Sequence, residues 1–400
     1  MARFGRRVAV VGVGLSHCDR SRSDVNKVEL ANESIRRCLD DAQLSMSDIE
    51  EVMVAEIDSL FGVGQSQMWY TDDIACYLKP GVKVETGGSV GGSACHSAVH
   101  HVAAGACDVA LVTATSKGGG TREPIERFVA GARAQAAMTA GMHPIWDRWV
   151  FVGPLMLFAF MANDYLMRSG CTREAIAKCR VKAAKNAMKN PYGHLKRDIT
   201  VEDVLNSPFI IWPLRLLEFC PISQGSAAMI FASEEKAKKI TNKPVWVEDI
   251  VSAHSKQYWT DAMVPIDWGS QEAGAVALWK RNGITNPWKE IDVFEMYDPS
   301  SWAEVIWMEW MHLCGKGEAW KLVDRGATEI DGEFPINPSG GVVSTNPGVP
   351  STTMRYVEAA LQVRGDAGEH QVPREVKRAV GHGFGGTNWN TFILLSKDMP

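Results

Sequence analysis

Apolar positions along the chain fall into short continuous runs separated by longer amphipathic stretches. Arg7–Gly14, Ile49–Ala55 and Val109–Thr115 are runs of strand length rich in Val, Ile, Leu and Ala, the pattern of strands buried on both faces. Val25–Ala42 carries apolar residues at helical spacing. A second helix is expected from the Gly-rich turn near residue 88 to about Ala104. The middle, roughly residues 117–240, changes character: helices are predicted at about 154–169 and 172–189, and the chain then returns through "CPISQGSAAMIFAS" to another apolar strand. The strand pattern resumes at Val245–His254 and Asp292–Tyr297, with a helix from Pro299, another at 351–364, and final strands at Arg378–Gly381 and Asn390–Ser396. Strands alternating with helices in this way predict βαβ units and an α/β fold with a mostly parallel sheet. The two ends share one order of elements, so a duplicated architecture interrupted by a long insertion is expected.

Composition changes this picture little. With 400 residues, 46% of them hydrophobic, the chain can bury a large core in more than one lobe. A net charge of −5 gives no reason to expect nucleic acid or an anionic membrane as a partner. The basic, then apolar N-terminus has an apolar run too short for a spanning helix and reads as a strand. Nine scattered cysteines without C-x-x-C spacing suggest reduced thiols and a cytoplasmic protein.

Candidate chemistry concentrates in a few turns. "GVGLSH" (12–17) lacks the third glycine of a dinucleotide fingerprint, where His17 stands. His96 and His100 are four apart on one predicted helix, but no third ligand accompanies them, so no metal site is expected. "EMYDPSS" (295–301) lies where a strand meets a helix, which makes Tyr297 and Asp298 site candidates; Asp298 is equally suited to cap a helix starting at Pro299. "NPSGGVVSTNPG" (337–348) and "GHGFGGTNW" (381–389) read as Gly-rich turns that could bring backbone amides to a ligand, with Asn346 and His382 set among them. "GGSVGGSACHSAVHH" (87–101) places Gly88 and Ser89 at a helix N-terminus and Cys95 inside the helix.

Taken in order, these motifs resemble the thiolase superfamily, in the branch of sterol-carrier-protein and archaeal acetoacetyl-CoA thiolases. "NPYGHLKRDITVEDVLNSPFIIWPLRLLEFCPISQGSAA" (190–228) is similar to that branch's loop domain, "NPSGG…STNP" to NPxGG…GHP, and "HGFGG" to HNxGG. The resemblance implies two thiolase halves stacked as α-β-α-β-α layers, here residues 1–116 with 225–243 and residues 244–400. Residues 117–224 would form an inserted loop domain for CoA and acyl binding. It also implies CoA as a substrate with no permanently bound cofactor, and a homodimeric core. A small zinc-ribbon/OB-fold partner subunit is implied as well.

The catalytic positions depart from the family pattern. The family's nucleophilic Cys falls on Gly88, with Ser89 adjacent, whereas Cys95 lies seven residues further on, where helix amides are already paired. The family's His of "HD" is Tyr297, its His of GHP is Asn346, and His382 matches the His of HNxGG. The resemblance therefore implies three open readings. In one, CoA attacks a β-ketoacyl-CoA directly, with Tyr297 or His382 managing protons and Asn346 and the Gly88 and Gly386 amides holding oxyanions. In another, Tyr297 serves retro-aldol cleavage of a β-hydroxyacyl-CoA, since steroid side-chain aldolases carry Tyr–Asp here. In the third, the chain is a CoA-ester-binding scaffold. A thiol from elsewhere, such as Cys220 or Cys314, stays open as well. Fourteen Trp, several of them in "HPIWDRWVFVGPLMLF" (143–158) and "SSWAEVIWMEW" (300–310), suggest a bulky, aromatic acyl group such as that of benzoylsuccinyl-CoA.

Overall fold

A computed structural model describes residues 5–58, 65–70, 76–117, 145, 154–255, 269–385 and 389–400. Nine strands form one sheet: β1 (Val8–Leu15), β2 (Glu51–Ala55), β3 (Gly81–Val84), β4 (Val109–Ser116), β5 (Gly225–Ser233), β6 (Val245–His254), β7 (Val293–Glu295), β8 (Arg378–Gly385) and β9 (Trp389–Ser396). The principal helices are α1 (Lys27–Ala42), α2 (Val90–Ala104), α3 (Pro154–Ser169), α4 (Arg173–Lys189), α5 (Gly269–Arg281), α6 (Ser301–Trp310) and α7 (Ser351–Arg364). Local chemistry sets several starts: Asn26 and Glu29 form a capping box on α1, Thr172 caps α4, and Ser300 caps α6.

Strand order is β3-β2-β4-β5-β1-β6-β9-β8-β7. Read outward from the β1–β6 seam, each side runs first strand, last strand, then two strands parallel to each other: β5 lies antiparallel to β1 and β4, and β9 antiparallel to β6 and β8. β4 pairs parallel with β2, and β8 parallel with β7. That repeated order is the duplication expected from the sequence. The seam itself is short, only Ala9–Trp246 and Val10–Val245.

Side-chain alternation along the strands divides the core into layers. Val8, Val10, Met53, Val112, Val247 and Ile393 face inward onto α2 and α7, which lie between the two halves of the sheet. Ala9, Val11, Val52, Val54 and Leu111 face outward onto α1. Phe294, Val380, Phe392 and Leu394 face outward on the other side, onto α3, α5 and α6. The result is an α-β-α-β-α stack, which explains why these strands read as unbroken apolar runs. Among the described residues no helix is long and apolar enough to cross a membrane.

Three expectations are corrected. The sheet is mixed rather than mostly parallel, because β5 and β9 each run antiparallel to both neighbours and the β1–β6 seam is antiparallel too. "GHGFG" is strand β8, not a turn. Its glycines, at every second position, face the central layer: a Cβ on Gly381 would meet Tyr356, one on Gly383 would meet Thr352, and one on Gly385 would strike the backbone of Gly88. Asp298 does not cap a helix at Pro299. Ser300 caps α6, and Asp298 accepts instead from the Val342 N–H at 2.6 Å, at the start of the short helix Gly341–Ser344.

Close approach also fixes α1 on β1, since a Cβ at Gly14 would run into the Ser34 carbonyl and lie 2.5 Å from the Cys38 nitrogen. Gly14→Ala is therefore expected to destabilise the fold by roughly 1–3 kcal/mol, seen as a lower urea midpoint. An unchanged midpoint would mean that α1 shifts freely on the sheet.

Candidate active site

The central helices α2 and α7 begin close together, beside the ends of β7 and β8. A Cβ on Gly91 would touch Thr353 and the Val349 carbonyl, and Gly385 at the end of β8 lies on Gly88 and Ser89. Tyr297 leaves β7 two residues past its end, and its backbone N–H donates to His382 Nδ1 at 3.3 Å. This junction gathers Tyr297, Asn346, His382, Gly88 and Ser89 at one end of the central layer.

His382 is fully buried on β8, stacked on Phe392 with ring centroids 4.7 Å apart. Both its ring nitrogens are engaged: Nδ1 accepts from Tyr297, and Nε2 donates to Asn390 Oδ1 at 3.0 Å. Burial away from any carboxylate pushes its pKa down to about 4, so the ring is neutral at physiological pH. Asn390 is in turn held by its amide donating to Ser270 Oγ at 2.8 Å.

Asn346 sits in the loop ahead of α7, half-buried, at the centre of a small polar cluster. Its Oδ1 accepts from the hydroxyls of Ser351 at 2.7 Å and Tyr297 at 3.5 Å, and from the Gly348 N–H at 3.2 Å. Its Nδ2 donates to the sulfur of Cys220 at 3.0 Å. Behind it, the Ser223 N–H donates to the Asn346 carbonyl at 3.0 Å, the Asn346 N–H donates to Ser223 Oγ at 3.2 Å, and Ser223 Oγ lies 2.8 Å from His194 Nδ1. Burial raises the Tyr297 phenol and pushes the Cys220 thiol up to about 12. Both hydrogens therefore stay on at neutral pH. Asp298 is also raised by burial, to about 7, with Glu304 adding to the effect.

Ser89 occupies the N-cap position of α2 without a side-chain cap bond, and its buried hydroxyl lies 3.4 Å from the Thr86 carbonyl. The Val90, Gly92 and Ser93 amides are spent on Gly87 and Ser89 carbonyls. Cys95 lies in the second turn of α2, fully buried, with Met229 Sδ at 3.9 Å and its pKa driven up by burial. It packs with the core away from the Tyr297–Asn346 cluster. Gly386 falls outside the described residues, as do Trp146 and Trp149. His96 is spent on the Phe392 carbonyl at 3.0 Å and the Tyr356 hydroxyl at 3.2 Å.

An aromatic wall adjoins the cluster. Phe384 packs 6.3 Å from Tyr297, 5.4 Å from Trp307 and 6.1 Å from Phe158, and Phe158 packs 5.7 Å from Phe219 beside Cys220. Trp302 and Trp307 are fully buried core residues. Sequence reading did not single out Ser351, Ser223 or His194. Ser351 contacts Asn346 from five residues away, Ser223 reaches it across 123 residues and His194 meets Ser223 across 29, and no local pattern marks any of the three.

The N-terminal thiolase domain model matches residues 8–235 and the C-terminal thiolase domain model residues 252–397, so the chain belongs to the thiolase family. Among curated relatives, benzoylsuccinyl-CoA thiolase subunit BbsB of Thauera aromatica is 30% identical over 78% of each chain. An acetyl-CoA acetyltransferase of Methanothermobacter thermautotrophicus is 27% identical over 98% of this chain and 99% of its own. Among solved structures, the Ltp2-ChsH2(DUF35) aldolase superimposes over all of both chains with a TM-score of 0.83 at 22% identity. Human mitochondrial 3-ketoacyl-CoA thiolase covers 99% of this chain and 100% of its own, with a TM-score of 0.69 at 13% identity.

The state of His382 makes a stability prediction. Its folded pKa, about 4, lies below the ordinary 6.5, so the unfolded chain takes up the proton first as pH falls. The contribution is whole above pH 6.5 and is lost between there and about pH 4, worth roughly 3 kcal/mol in all. Urea unfolding at pH 6.5 and 4.5 should show a smaller loss for His382→Gln than for the wild type. Equal losses would show that His382 takes up its proton as readily in the folded protein as in the unfolded chain.

Proposed function

We propose that this protein cleaves the Cα–Cβ bond of a β-ketoacyl-CoA by transfer of the acyl group directly to CoA, without an acyl-enzyme. The observation that carries this reading is the pairing of the Tyr297 hydroxyl with the Asn346 amide at 3.5 Å, where the family pattern has histidines, together with the absence of a cysteine at residues 88–90. A site built of neutral donors suits a nucleophile that arrives ionised. A free thiol with a pKa near 8.5 supplies a few per cent thiolate at neutral pH without a protein base. An alcohol needs a base, and burial has raised both Tyr297 and Cys220 away from that role.

In the proposed reaction the CoA thiolate adds to the β-carbonyl carbon, forming the C–S bond. The resulting alkoxide accepts from Tyr297. Its collapse restores the carbonyl and breaks Cα–Cβ. The electron pair passes to the thioester enolate, whose oxygen is held by Asn346 Nδ2 and the Gly88 and Ser89 amides, and Cα then takes a proton. His382 positions Tyr297 through the backbone N–H and does not shuttle protons. Holding both reactants in one site can supply several kcal/mol of the barrier reduction. The aromatic wall of Phe158, Phe219 and Phe384 fits a bulky, aromatic acyl group such as that of benzoylsuccinyl-CoA. BbsB is named as a subunit, and the Ltp2 structure contains a DUF35 protein. Both names support a small zinc-ribbon/OB-fold partner on a homodimeric core for this chain.

A second reading, retro-aldol cleavage of a β-hydroxyacyl-CoA, is favoured by the whole-chain likeness to an aldolase and by Tyr297 itself. The two separate on one assay with the full chain and any subunit that co-purifies. Aromatic β-ketoacyl-CoA cleavage should require free CoA and yield two thioesters, and Tyr297→Phe should lower kcat roughly 100-fold. Cleavage of the hydroxy substrate without CoA would replace thiolysis by the aldolase, and no turnover of either would leave a scaffold.

A further inference from the structure

Resting on the thiolysis reading, we infer that the acyl chain of the substrate carries a free carboxylate and that Arg180 of α4 is the residue that receives it. The observation is a buried charge without a counter-ion. Arg180 is 1% exposed, and among the described residues its guanidinium is in no ion pair; its hydrogen bond runs from Nη1 to the Ser344 hydroxyl at 3.2 Å. Its Nε is buried with no acceptor. The other buried cations nearby are matched: Lys182, two residues further along α4, pairs with Glu304, and Arg355 pairs with Glu295. Burial pushes the Arg180 pKa down to about 10, so the group is still charged at neutral pH. Asp298 attracts it without bonding to it, and that carboxylate is committed to the Val342 N–H and raised by burial to about 7.

The position ties this charge to the site. Ser344 closes the short helix Gly341–Ser344 two residues ahead of Asn346, and its carbonyl accepts from the Leu195 N–H at 3.1 Å. Asp298 directly follows Tyr297. Arg180 therefore stands against the two segments that carry the reacting groups, outside the cluster of neutral donors itself. A guanidinium presents five N–H donors in one plane, and its Nε–Nη2 edge takes a carboxylate through two parallel bonds. Ser344 occupies Nη1 and leaves that edge without an acceptor among the described residues. A buried cation with no counter-ion is unfavourable in the free protein, and an entering carboxylate relieves it, so the acid is selected over a neutral analogue. The phosphates of CoA would answer the same charge, but they carry more charge and more bound water into a site almost closed to solvent. A carboxylate on the acyl chain lies only a few bonds from the reacting carbons. Bracing Ser344 alone would use one donor of the five, and a neutral amide could supply it.

The test compares benzoylsuccinyl-CoA, whose acyl chain bears a free carboxylate, with its carboxyl methyl ester, using the full chain, any co-purifying subunit and free CoA. The wild type is expected to favour the acid roughly 100-fold in kcat/KM. Arg180→Gln, which keeps a donor for Ser344, is expected to lose about that factor on the acid and far less on the ester, so that the preference collapses. Arg180→Lys, which keeps the charge without the fork, is expected to retain part of it. A wild type that cleaves both compounds equally well would overturn the inference, whatever the variants do. An undiminished preference in Arg180→Gln would overturn the assignment to Arg180, and equal losses on both compounds would reduce the residue to a brace. A raised KM for CoA with the preference intact would move Arg180 to a CoA phosphate and overturn it as well. Failure of the wild type to cleave either compound with CoA would instead remove the thiolysis reading on which it rests.

Discussion

Two helices enter the middle of this molecule from the same end, and their approach to each other and to β8 is possible only because glycine stands at the crossings. Gly91 and Gly92 at the start of α2 leave room for Thr353 and for Thr391, while Gly381, Gly383 and Gly385 on β8 admit Tyr356, Thr352 and the Gly88 backbone. The site inherits its geometry from this packing. With the α2 N-terminus pressed on the end of β8, His382 is forced to the opposite face of the strand, into an aromatic pocket. There its two ring nitrogens are taken up by the Tyr297 N–H and by Asn390. Any side chain at Gly385 would push the helix N-terminus away from Tyr297 and Asn346.

Around that core two ion pairs are buried. Arg355 of α7 donates to Glu295 of β7 at 2.5 Å, and Lys182 of α4 bonds Glu304 of α6. Removing one member of such a pair strands the other, a cost of roughly 3–5 kcal/mol. These pairs fix the elements that carry the site relative to one another: α7 to the strand leading into Tyr297, and α4 to the helix following it. The side chains of Tyr297, Asn346, Cys220 and His382, by contrast, are all neutral. The chain thus keeps the thiolase-family fold, while the side chains gathered at the end of the central layer are an amide, a phenol and a thiol.

Much of this was legible in the residues. Strands buried on both faces appear as unbroken apolar runs, and β1, β4, β6 and α7 lie within a residue or so of where the pattern places them. Asn26, Thr172 and Gly105 stand at helix ends, where capping preferences place such residues. The family motifs pointed to Tyr297, Asn346 and Gly88, which the fold brings to one end of the central layer. What the sequence hid was packing at close range. "GHGFG" looks like a turn because glycines usually mean one, and only the neighbouring helices show that they are a strand pared down for contact. Asp298 has the sequence of a helix cap, but Ser300 is better placed to cap, which frees the carboxylate for the Val342 amide. Cys95 is conspicuous in the sequence and inert in the core, while the contact of Cys220 with Asn346 joins residues 126 apart and shows only in the fold.

The central claim is that acyl transfer proceeds in a ternary complex. It is tested most directly by the initial-rate pattern for cleavage of an aromatic β-ketoacyl-CoA with both substrates varied. A direct attack by CoA requires both to be bound together and gives intersecting double-reciprocal lines. Parallel lines, the signature of a ping-pong acyl-enzyme, would contradict it.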